Sequence, residues 1–189
     1  MAYLESILRT DPAVVTAFSA LKFVATDHME HLRLCDHLEE IADSLPDRID
    51  RKQCFCAALA LQYRVNTHHQ LEEEVLFPRL LARAGDKREL RRIFERLSDE
   101  HRTDEGHCDE AIELLTRLSN GTPPLNVEAA GYLLRGLFEG LRRHIAFEQD
   151  HLLPIAREIL VEEDLEVLAA GIRKVLRGSL PAEMHTRLQ

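Results

Sequence analysis

A chain of 189 residues is the length of one ordinary domain, and 45% apolar with 30% charged residues can bury a core, which excludes wholesale disorder. Against 24 basic residues stand 33 acidic ones, a net charge of −9 that excludes binding to nucleic acid through a broad basic face. The opening stretch is unlike a signal peptide and no apolar run reaches about eighteen residues, so the expectation is a cytoplasmic chain with no membrane span.

Asp11-Pro12 reads as a helix start, with Asp at the N-cap and Pro in the first turn. Apolar residues then recur at helical spacing through Val15, Phe18, Leu21, Val24, Leu34, Leu38 and Ile41, until Leu45-Pro46 stops the pattern. A second helix is predicted from about residue 48 to Gly85, and a third from Asp86 to the stop at Asn120-Gly121. Thr122-Pro123-Pro124-Leu125 is a loop, Asn126 caps a fourth helix reaching about Leu160, and a shorter helix spans about 162–177. The resulting expectation is one all-α domain over residues 1–189. Its core, about 11–160, is an up-and-down antiparallel four-helix bundle, with short N-terminal and C-terminal helical additions. Cys35, Cys54, Cys56 and Cys108 read as buried small hydrophobes, since Cys54 and Cys56 are too close for a Cys-x-x-Cys site.

The chemistry lies in an internal repeat. His68 to Pro78 and His144 to Pro154 both read His-x-x-x-Glu, five further residues, then Pro, with two apolar residues just before it. Residues four apart on a helix share a face, so an imidazole nitrogen and a carboxylate oxygen can converge on one point. Two such helices facing each other supply an N/O donor set that suits Fe, Mn or Zn. His28 on the first helix and His101 on the third stand 40 and 43 residues before the two motifs. Each half therefore presents one His and then His-x-x-x-Glu. That approximate two-fold predicts a two-metal site held by His28, His68, Glu72, His101, His144 and Glu148.

The remaining histidines are sorted by helical angle at about 100° per residue. His37, His69 and His107 fall off the ligand face, whereas His31 and His151 lie near it and read as outer hydrogen-bonding groups or surface. Glu105, four after His101, is an outside candidate for the metal shell, and Glu73 and Glu74 read as a solvated face. Pro78 and Pro154 are expected to kink or end the ligand helices. Glu-x-x-His on two helices, as in ferritin-like oxidases, is absent, and so is His-Glu-x-x-His.

Over about residues 11–160, the two His-x-x-x-Glu motifs with their prolines, together with Ser98-Asp99-Glu100-His101, resemble the hemerythrin-like (HHE cation-binding) family. The resemblance implies a four-helix bundle around a non-haem centre of two Fe ions, bridged by the two Glu side chains and an oxo or hydroxo group, with Zn or Mn as substitutes. Oxygen-carrying members have a second His four residues along the third helix, where this chain has Glu105, and a bridging Asp on the fourth, where it has Glu148. The set is more similar to the four-His, two-Glu proteins tied to nitric oxide and iron–sulfur cluster repair, although their cysteine-containing N-terminal domain is missing. The expectation is a binding or sensing protein for O2 or NO, or one answering oxidative and nitrosative stress, rather than an enzyme. Iron handling or a peroxide-type redox enzyme, and a metal-free helical interaction module, stay open as alternatives.

Overall fold

The computed structural model describes residues 15–179, so the helix start expected at Asp11-Pro12 and the N-terminal addition lie outside the described residues. Among the described residues the chain is all helical. A 3-10 turn at Ala17–Ser19 leads into α1 (Ala20–Ser44). The helix α2 spans 51–83, α3 is Arg88–Ser119, α4 spans 127–159, and α5 is Glu162–Ser179. The tighter winding of the 3-10 turn breaks the apolar period, and Phe18 is exposed.

The helix ends follow from local chemistry. Asp50 opens α2 by accepting the amides of Lys52 and Gln53 at 2.8 and 3.1 Å, three residues later than the expected start. Asn126 caps α4 by accepting the Ala129 amide at 3.0 Å, as its position suggests. At the end of α3, Gly121 takes φ +80° while its own amide bonds Leu118 O and the Thr122 amide bonds Arg117 O. That double closure needs a residue at ease in the left-handed region, and the Arg51 guanidinium fills the space that a Cβ would take.

The helix α1 packs along α4 and α2 along α3, while contacts of α3 with α4 and of α1 with α2 close the ring. The short α5 lies against α1 and α2, with Leu168, Ala169 and Ile172 buried there. No helix among the described residues is long and apolar enough to cross a membrane. All four cysteines are buried free thiols.

The core comes in two apolar layers. One holds Leu34, Leu38, Leu61, Leu115, Leu134 and Leu141; the other holds Val24, Leu71, Leu76, Leu97, Leu152 and Ile172. Along each long helix a histidine sits where the layers meet: His28 between Val24 and Leu34, His68 between Val65 and Leu71, His101 between Leu97 and Cys108, His144 between Leu141 and Leu152. A buried polar stratum thus crosses the bundle at one depth.

Candidate metal centre

The six residues singled out by spacing meet in that stratum, each no more than 2% exposed. Glu148 Oε2 lies 3.4 Å from both His28 Nε2 and His68 Nε2, and Glu148 Oε1 lies 3.1 Å from His144 Nε2. On the other side Glu72 Oε2 is 3.4 Å from His101 Nε2 and 3.7 Å from His68 Nε2. The nitrogens of His101 and His144 approach to 3.2 Å. Two clusters result, His28–His68–Glu72–Glu148 and Glu72–His101–His144–Glu148, each able to hold one ion and both sharing the two carboxylates.

The backbone adapts at both carboxylates. Neither Pro78 nor Pro154 ends its helix, contrary to one of the two expectations: α2 and α4 run on to Arg83 and Ile159. Proline lacks an amide proton and its ring crowds the carbonyl four residues back. The helix answers with a wide turn over Glu72–Leu76 and again over Glu148–Leu152, in which Phe77 and Leu153 donate to the carbonyls of Glu72 and Glu148, five residues back. Each glutamate therefore starts a widened turn; α2 also widens over Leu61–Val65, where no proline follows.

The donor set fits cations. Burial pushes His28 and His101 down to about 4, so each offers a neutral imidazole lone pair. Burial, and then the charge of Glu148, drive the Glu72 carboxyl well above its ordinary range. Both oxygens of Glu72 and both nitrogens of His28 are buried without a hydrogen bond. Neither cluster contains Lys or Arg: the positive charge beside the two carboxylates falls to His68 and His144, which, against burial, Glu72, Glu148 and their outer acceptors hold above the usual imidazole range, and bound divalent ions would replace those protons.

Outside this set lie acceptors that the sequence reading missed. Asp27 on α1 accepts from His68 Nδ1 at 3.0 Å, Glu73 on α2 from His101 Nδ1 at 2.7 Å, and Glu100 on α3 from His144 Nδ1 at 3.0 Å. A carboxylate can only accept, so these bonds put a proton on Nδ1 and leave Nε2 as the ring atom that faces the centre. Burial works against the charge on Asp27, yet His31 and His68 hold it below the usual carboxylate range. Glu100 is likewise held down, against burial, by bonds from Arg96 and His144. Each acceptor adjoins a ligand candidate in sequence: Asp27 beside His28, Glu73 beside Glu72, Glu100 beside His101. That adjacency was the available signal. Glu73, read as solvated, is 43% exposed yet reaches inward to the neighbouring helix.

His69 is a second correction. Its side chain is only 3% exposed, and its ring stacks on His101 at 3.9 Å between centroids. The helix α2 buries an arc facing two neighbours, so a residue about 100° from His68 is still inside it. His31 is also buried, its Nδ1 donating to the Asp27 carbonyl at 2.9 Å with its ring 4.7 Å from His68. By contrast His151 is exposed against Phe147, and Glu105, 53% exposed, lies 3.9 Å from His69 rather than among the six. A pocket of about 410 Å³ opens over His144, between Arg96, Asp104 and Arg143.

Helices enclosing shared, buried histidine–glutamate clusters define a metal-binding helical protein. The family model of the hemerythrin HHE cation binding domain matches residues 19–156, and the chain belongs to that family. No curated protein and no solved structure matches it.

Proposed function

We propose that this chain holds a dinuclear iron centre in an up-and-down bundle and uses it to bind O2 or NO, as a sensor or in the response to oxidative and nitrosative stress. His28 and His68 would hold one ion and His101 and His144 the other, with Glu72 and Glu148 available to both. The observation that carries this reading is the pair of four-residue clusters sharing both buried carboxylates. One cluster alone would fit a single structural ion; two that share carboxylates suit a dinuclear cofactor. Iron there would supply open coordination positions and one-electron redox capacity.

The chain's own residues do the rest. Asp27, Glu73 and Glu100 lock three imidazoles in one tautomer, and the apolar layers above and below keep bulk water out. The pocket beside His144 brings solvent to the edge of one of the six residues. Iron-replete expression followed by elemental analysis should find about two irons per chain. Zinc alone, or no metal, would sink the assignment. With the anaerobically reduced protein, a stable and reversible spectrum on adding O2 or NO supports binding; fast peroxide turnover without a stable adduct would favour a redox enzyme instead.

A further inference from the structure

The outer carboxylates form a handoff around the bundle. Asp27 of α1 holds His68 of α2, Glu73 of α2 holds His101 of α3, and Glu100 of α3 holds His144 of α4. The step from α4 back to α1 is missing, for His28 Nδ1 has no hydrogen bond. The internal repeat says why. It pairs His68 with His144, Glu72 with Glu148 and His101 with His28, so the counterpart of Glu73 is Gln149, a neutral and partly buried residue. Both imidazoles of one metal position are backed by charge; at the other only His68 is, and its acceptor Asp27 also lies 3.5 Å from Arg64.

We propose that the two metal positions are unequal by construction: the one at His101 and His144 fills first and keeps its ion, and the one at His28 and His68 exchanges. Asp27, Glu73 and Glu100 act as positioning residues, and Gln149 sets the difference. A carboxylate on Nδ1–H raises the basicity of Nε2 and removes the rotational freedom of the ring, which is worth roughly 10–100-fold in metal affinity per partner. An imidazole with an idle Nδ1 gains neither effect. The inference rests on the dinuclear reading above.

Anaerobic titration of the metal-free chain with Co2+ tests it through ligand-field absorbance and the paramagnetically shifted imidazole N–H protons. Two resolved steps are expected, the first tighter by about tenfold or more. The first equivalent should shift the N–H signals of His101 and His144, identified by their change in Glu73→Gln and Glu100→Gln. Glu73→Gln should weaken the His101–His144 position by about 10–100-fold, so that the gap between the two steps closes or the filling order reverses. Gln149→Glu should tighten the second step by about tenfold and close the gap. Both positions are at least partly solvent-accessible, and circular dichroism checks that each variant keeps its helices. A single unresolved step, a first equivalent that shifts the His68 signal, or a gap untouched by both variants would overturn the inference while leaving a two-metal centre. Saturation at fewer than two ions would instead bring down the dinuclear reading and this inference with it.

Discussion

The repeated segments 68–78 and 144–154 agree at every residue that points to the centre and disagree at those beside it. His69 in the first copy corresponds to Ile145 in the second, and both are buried. Glu73 corresponds to Gln149, and only the glutamate reaches a histidine. The glutamates themselves differ in reach: Glu148 lies within 3.4 Å of three imidazoles, whereas Glu72 comes within that distance of His101 alone and stands 3.7 Å from His68. Convergence on a point imposes the four-residue spacing on both copies, while the flanking positions answer only to their own neighbours. A two-fold set of candidate ligands thus sits in an environment that is not two-fold.

The largest effect should come from removing the better-connected glutamate. Glu148→Ala is expected to bind essentially no iron, Glu72→Ala to lose at least one of the two ions, and His144→Ala to lose metal as well. All three should keep the helical circular dichroism of the parent, because the apolar layers on either side are untouched. Iron content by elemental analysis decides it; full occupancy in Glu148→Ala would refute the shared-carboxylate arrangement.

The next effect contrasts the two apolar layers with the polar stratum they enclose. Leu34 belongs to one layer and Leu97 to the other, and both are completely buried. Replacing either by Ala should destabilise the apo-protein by about 2–5 kcal/mol, through lost burial plus the cavity left behind. Urea unfolding measures it. A cost well below that range in one layer would show that side of the bundle to be loosely packed.

Helix content, the cap at Asn126 and the stop at Gly121 were readable from sequence because each depends on a few adjacent residues. The six-residue constellation was readable for another reason: duplication turned a weak motif into a pattern with a fixed interval. The wide turns at Glu72 and Glu148 were not anticipated, since a proline inside a helical pattern signals disruption without saying whether the helix kinks, ends or widens. His69 was misjudged because an angle from one neighbour ignores how wide an arc a helix buries. Asp27, Glu73 and Glu100 were passed over because acidic residues on helices are ordinarily solvated, and only the placement of the next helix gives them an imidazole.

His69 itself offers a smaller test of the disagreement between the copies. Both of its ring nitrogens are buried without a hydrogen bond, whereas Ile145 has nothing to satisfy. His69→Leu should therefore stabilise the metal-free chain by about 1 kcal/mol, by removing a buried polar group that lacks a partner. Iron content should stay at the wild-type value. Loss of iron in this variant would show instead that His69 binds metal alongside His101 and His144.

An effect of similar size, but confined to one pH window, is expected at Asp104, on the flank of α3 that faces the pocket over His144. Its side chain is 6% exposed, and burial, helped by the Glu100 charge against the pull of His144, raises its carboxyl from 3.8 to about 6. The unfolded chain releases this proton near its ordinary value, so between about pH 4 and 6 the native state holds more protons than the unfolded one. Stability therefore falls as pH rises through that window, and the deficit is complete above it. Asp104→Asn should match the parent near about pH 4 and exceed it by about 1–2 kcal/mol near about pH 7.5, the figure reduced because the group lines an open pocket. Buried neutral histidines titrate over the same window with the opposite sign, which is why the difference between parent and variant, rather than either slope, is the quantity to measure. Urea midpoints of both apo-proteins at the two pH values supply it. An equal difference at both would mean that Asp104 ionises like an exposed carboxylate and that the pocket is wetter than its walls suggest.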